Sequence, residues 1–154
     1  MAARTLTYTI NMSAAPKAVH VGVNRLHFDF NSGATKFGTL SDVLLLGKIP
    51  SGALISGKNI RFGAEGTAAA HFGLVLLATE ANGTFSTFAT LMASITASAT
   101  AATFNDYIPT KVSLSDDRAV QYVVLALNCS TGASETVSFS TQGFIDYVVD
   151  GSGV

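Results

Sequence analysis

Three histidines, His20, His27 and His71, and a scatter of carboxylates are the side chains here with the chemistry to hold a metal or move a proton. His20 and His27 flank one strand-like run at an odd separation. On a regular strand that spacing puts them on opposite faces, which argues against a shared metal. His71 stands beside Phe72 at the head of an apolar run and reads as a structural histidine. Asp116 and Asp117 are adjacent and, with Asp106, make the acidic trio closest to a calcium donor set, but the alternating acidic spacing of a calcium loop is missing. Asp42 opens a strand, and Asp146 interrupts Phe144–Val149 on the face opposite Ile145 and Tyr147. A glycosidase pair needs carboxylates close in space rather than in sequence, so spacing alone leaves such a pair open. Solvated turn and edge positions are the simpler reading of these acids.

The search for nucleophiles and cradles returns nothing stronger. Cys129, the only cysteine, closes the apolar run LALNCST, where a thiol acts as a small buried hydrophobe. It has no intrachain disulfide partner, and no nearby His would activate it. Gly52, Gly57, Gly63 and Gly66 fit neither GxGxxG nor GxxxxGK[ST], and no GxSxG occurs. Tryptophan is absent, which leaves Tyr8, Tyr107, Tyr122 and Tyr147 as the side chains that combine a ring with a hydroxyl for sugar stacking. Asn11, Asn82 and Asn128 head glycosylation-type tripeptides that read as chance matches in a Ser/Thr-rich chain. The expectation is therefore a non-enzyme with no catalytic, cofactor-binding or metal site, and no cofactor.

Composition narrows the class. The chain has 154 residues, enough for one domain with a sizeable core and no need of disulfide or metal. Its net charge is −1, so it carries no electrostatic footprint for nucleic acid or an anionic membrane. Charged residues make up 12%, about half the usual quarter, and hydrophobic residues 48%. A surface poor in charge and rich in Ser, Thr, Asn and Gly suits outer faces covered by partners; many extracellular β domains share it. MAARTLTYTINMS lacks the apolar core of a signal peptide, and no window reaches the roughly 20 apolar residues of a membrane span. Synthesis in a cytoplasm without an export signal is expected.

The elements that would position these side chains are strands. Val43–Leu46 is a continuous apolar run suited to burial on both faces, followed by a Pro50-Ser51-Gly52 turn and a second apolar strand interrupted at Gly57 and Gly63. Lys48, Lys58 and Arg61 within it have no adjacent partner set. Leu6, Tyr8, Ile10 and Met12 alternate with polar residues and predict a strand; Pro16 ends its pairing. Val19–Val23 and Leu26–Phe30 alternate on opposite parities, which predicts a bulge near Asn24-Arg25. Ala70–Thr79 and Ala119–Leu127 are apolar strands, the latter central, while Phe85, Phe88 and Met92 have the spacing of a short helical turn. Thr136–Ser140 and Phe144–Val149 form a last hairpin or one bent strand. The sum is an all-β, single-domain antiparallel β-sandwich over residues 1–154, jelly-roll type, of about eight strands. Residues 1–16 form either an edge strand or an N-terminal arm that adds to another subunit.

In order, TLSDVLLLGKIPSGALISG, FGLVLLAT, SLSDDRAVQYVVLALN and FIDYVVDG resemble the small jelly-roll head decoration (cement) proteins of tailed bacteriophages, from about Gly38 to Gly151. The resemblance implies a virion protein on the capsid surface, made in the host cytoplasm. Its partners would be the major capsid protein and itself as homodimer or homotrimer, with no nucleic acid, membrane or catalytic residue involved. The alternative is a carbohydrate-binding or adhesin module of a tail fibre or spike, with an exposed cluster around Asp106 and Tyr107. A cupin-type enzyme would need grouped His and Glu ligands, against three scattered histidines and only Glu65, Glu80 and Glu135.

Overall fold

The computed structural model describes residues 5–16, 22–32, 41–64, 71–96, 102–131 and 139–149. In chain order these form β1 (Thr5–Thr7), α1 (Thr9–Met12), β2 (Asn24–Asn31), β3 (Val43–Pro50), β4 (Ala53–Ala64), β5 (His71–Thr79), β6 (Phe85–Thr96), β7 (Ala102–Asp106), β8 (Thr110–Lys111), β9 (Tyr122–Thr131) and β10 (Phe139–Val149). The first sheet runs β1-β3-β9-β5-β6 and the second β2-β10-β4-β7, with β8 also on β4. With β1 and β8 set aside, the eight remaining strands numbered along the chain alternate as 1-8-3-6 and 2-7-4-5. That is the order of a jelly roll, and the fold is an all-β sandwich of this type. Every ladder is antiparallel except β1 on β3, which is parallel over Thr5–Thr7 and Val43–Leu45.

The apolar runs become strands that are buried twice over. Leu44, Leu46, Leu74, Leu76, Val123, Leu125 and Leu127 enter the main core between the sheets. Leu45, Val75, Leu77, Val124 and Ala126 form a second cluster on the other face of the first sheet, with Met12, Val43 and Tyr122 packed against it. In β3 the inward parity changes from Leu44 and Leu46 to Ile49 because the register against β9 slips between Leu45 and Gly47. Pro50-Ser51-Gly52 then carries the chain from one sheet to the other. Gly52 takes a φ of 89°, as the turn demands, and its N–H donates to Val112 O at 2.8 Å.

An aromatic group joins the layers. Phe72 of the first sheet lies 5.0 Å from Phe62 and 6.3 Å from Phe139 of the second, and Phe62 and Phe139 stack at 5.3 Å. Phe30 adds to Phe139 at 5.8 Å, and Tyr8 meets Phe30 edge-on at 6.4 Å. Each fully buried ring contributes about 1.5–3 kcal/mol through area alone. Gly143 lets β10 lie close to β4: a Cβ there would sit 2.0 Å from Asn59 O, inside any tolerable contact.

Four local expectations are corrected. The alternation from Leu6 to Met12 yields a strand only to Thr7; Thr9–Met12 is one turn of helix, because Asn11 is drawn to carbonyls of both sheets. The bulge expected at Asn24-Arg25 is not in β2, whose register against β10 is unbroken from Asn24 to Asn31; Val19–Val21 lie outside the described residues. Phe85, Phe88 and Met92 belong to strand β6, whose pairing with β5 slips three times and so spaces buried residues like a helix. Ten strands form rather than about eight, the extra ones being the short edge pieces β1 and β8. Of the two forms open for the C-terminal strands, one continuous strand is seen, Phe139–Val149.

Thr141 of β10 is fully buried, and its Oγ1 has no hydrogen-bond partner. A buried unpaired hydroxyl costs about 1–3 kcal/mol. Thr141→Val should therefore raise the midpoint of thermal unfolding, by about 1 kcal/mol in stability, as read by calorimetry.

Candidate functional site

Two places on the sandwich present themselves for contact, one at each edge of the second sheet. At one edge, β7 and β8 pair successively with β4, at Lys58–Phe62 and Leu54–Ile55, and the chain leaves the ladder between them. Pro109 has no N–H to give a ladder, so the excursion of Tyr107, Ile108 and Pro109 falls there. Tyr107 is 74% and Ile108 71% exposed. Their backbone is nonetheless held. Lys58, 1% exposed, shares the inward parity of Ile60 and Phe62, and its Nζ donates to Ile108 O at 2.5 Å and to Asp106 Oδ2 at 3.2 Å. Ile108 N–H donates to the other oxygen, Asp106 Oδ1, at 2.8 Å. That N–H and the Lys58 ammonium hold the Asp106 carboxyl below its ordinary range. Lys58 thus has a partner set that sequence spacing did not reveal, since Asp106 is its cross-strand neighbour from far along the chain.

At the opposite edge, α1 lies where β2 of one sheet faces β3 of the other. Tyr8 N–H donates to Leu45 O at 2.8 Å, and Asn11 Nδ2 donates both to Leu46 O at 3.0 Å and to His27 O at 2.8 Å. One side-chain amide thereby ties the two sheets together. Beside it opens a cleft of about 280 Å³ lined by Tyr8, Ile10, Asn11, Ala14, Ala15, Arg25, Leu26, His27, Lys48 and Tyr147. Arg25 makes a two-pronged ion pair with Asp146, both contacts 2.7 Å, and its guanidinium lies 3.8 Å from the Phe144 ring centre. Lys48 Nζ sits 5.0 Å from the Tyr122 ring centre. Burial pushes the Tyr147 phenol up to about 12, so it stays a neutral hydroxyl in the cleft wall.

The remaining candidates are dispersed into structural work. Asp117 accepts from Ser115 in its turn, while Glu80 accepts from Ser86 and Arg118. These bonds lower both carboxyls. Asp106 is committed to Lys58, and the acidic trio does not converge: among the described residues no group of three His, Cys, Asp or Glu is placed to hold a metal. Asp42 and Cys129 are buried at the mouth of β3 and in β9. Ser41 N–H donates to Cys129 O, and Cys129 N–H to Asp42 O. His20, Glu65 and Glu135 lie outside the described residues. Among the described residues no helix is long and apolar enough to cross a membrane.

No protein family matches the sequence, and no curated protein does. The solved structures speak to the fold. A chain of the capsid of Ralstonia phage GP4 superposes with a TM-score of 0.64 at 15% identity, over 96% of this chain and 98% of that one. A chain of infectious bursal disease virus, Gx strain, does so with a TM-score of 0.56 at 15% identity, and its VP2 subviral particle with 0.54 at 12%. The fold is one that viral capsid proteins use. This chain spans 33% of the Gx-strain chain and 34% of the VP2 chain, but nearly all of the phage chain.

Lys58→Met should expose the dependence of the Tyr107 loop on its buried ammonium. It leaves Ile108 O and Asp106 short of a donor, and a loss of about 1–3 kcal/mol is expected in denaturant unfolding. Acid should act on the same loop and on the Glu80 turn. Asp106 and Glu80 titrate below their ordinary 3.8 and 4.5. Their contribution is thus complete above those values and lost as pH falls through the lowered ones. Thermal midpoints measured against pH should be level in this respect near neutrality and decline below pH 4, more shallowly in Asp106→Asn.

Proposed function

We propose that this protein is a non-enzymatic structural component of a phage virion, a decoration or cement protein that binds the outside of the assembled head and stabilises the shell. In this reading residues 1–154 act as a single domain, made in the host cytoplasm, with the major capsid protein as partner. The observation that carries it is the whole-chain correspondence with a component of the GP4 capsid. In the bursal disease virus chains the same sandwich is a third of a larger protein; here, as in the phage chain, it makes up nearly the whole. The low charge supports the reading, since joints between subunits that bury few ions avoid unpaired charge. A protein that spans neighbouring shell subunits adds its own contacts to theirs, and the gain grows with the number engaged at once.

One observation favours a carbohydrate-binding module instead: Tyr107 is the exposed aromatic such a site needs. Its neighbour Asp106 weighs against it, because both carboxylate oxygens already accept hydrogen bonds from Lys58 and Ile108.

Purified protein mixed with capsids lacking it should co-sediment in fixed stoichiometry and raise the temperature at which the shells disrupt. Absence of binding to any capsid, together with saturable glycan-array binding that Tyr107→Ala abolishes, would transfer the assignment to the second reading.

A further inference from the structure

We infer that copies of this chain assemble head to tail, the Tyr107–Pro109 loop of one seating in the cleft beside α1 of the next. The inference is independent of the capsid reading and holds for the protein alone.

The loop is built as an insert. Tyr107, Ile108 and Pro109 are contiguous and exposed, while the backbone beneath them is fixed by three hydrogen bonds from Lys58 Nζ and Ile108 N–H. Burying a lysine to hold an exposed apolar tip is a poor arrangement for a monomer. It makes sense for a contact, because a loop already ordered loses little conformational entropy on docking. Tyrosine in such a position is the residue type that most often dominates binding energy.

The cleft is built as a receptor of matching character. Tyr8, Leu26 and the 71% exposed Ile10 give it apolar walls, and Ala14 and Ala15 leave its rim open. Arg25, His27 and Lys48 also line it, and no carboxylate does. Cationic side chains suit the face of an incoming tyrosine ring. The loop brings an acid of its own, Asp106, at its base.

Topology decides between self-closure and a second copy. The second sheet runs β2-β10-β4-β7, so the cleft at β2 and the loop after β7 stand at opposite edges. The loop cannot reach the cleft of its own chain, and each copy offers one insert and one receptor. Such an unlike contact propagates, closing into a ring when its rotation allows and extending otherwise.

The test uses two full-length variants, each lacking one half of the contact: Tyr107→Ala with Ile108→Ala, and Ala15→Trp, which fills the cleft. Both changes are at exposed positions, and unfolding midpoints near that of the wild type would verify that the variants fold. Sedimentation velocity over a wide concentration range should show wild-type protein assembling with concentration and each variant remaining monomeric. An equimolar mixture of the two variants should form a heterodimer and nothing larger, because only one competent insert meets one competent receptor. A monomeric wild type, a variant that assembles like wild type, or a mixture that stays monomeric would each overturn the inference. Capsid co-sedimentation of the same two variants reads the shell-binding proposal separately.

Discussion

Everything in this sandwich hangs on the closure of the two sheets over the Phe62, Phe72 and Phe139 rings. Phe72 comes from the first sheet and the other two from the second, so the cluster is the point at which neither sheet can move without the other. Its extension through Phe30 to Tyr8 brings the N-terminal segment under the same constraint. With Tyr8 fixed, Asn11 falls within reach of carbonyls on both β2 and β3, and the open side of the sandwich gains a polar tie where its rings give out. The cleft exists because that tie bridges the gap without filling it.

The opposite edge solves a related problem differently. An edge strand presents unpaired backbone groups that invite uncontrolled pairing. Here the edge of β4 is covered in two short pieces, β7 and β8, and the break between them is stabilised from inside by Lys58. At β2 the outward positions carry Arg25, His27 and Asp29, charges that discourage edge-to-edge addition. Both edges thus resist sheet extension, and contact is left to side chains at defined places.

The strands legible in the sequence were those whose burial is simplest. Val43–Leu46 and Ala119–Leu127 are apolar without interruption because the first sheet is covered on both faces, and they mark β3 and the central β9 directly. β6 was illegible because three register slips scatter its buried residues over both parities, mimicking a helical spacing. α1 was illegible for another reason: nothing local favours a helix at Thr9–Met12, and Asn11 stays out of a ladder only because His27 and Leu46 lie near. The same holds at the candidate contacts. Tyr107 and Asp106 stood out as an exposed pair, but the lysine that fixes them is placed by the β4–β7 register, which no local pattern encodes.

The jelly-roll order also governs how the chain comes into being on a ribosome. β10 sits between β2 and β4, so Asn24 waits for Tyr147 as its partner and the second sheet lacks its middle strand until the last residues are made. Until then β2 and β4 have no common neighbour, and the Phe139 ring that completes the aromatic group is missing. Pairings between such distant segments carry a large loop-closure cost and form slowly. The nascent chain therefore emerges as a set of unpaired apolar strands that fold after release rather than during synthesis. This makes the final eleven-residue strand, not the N-terminal segments, the element on which solubility during production depends.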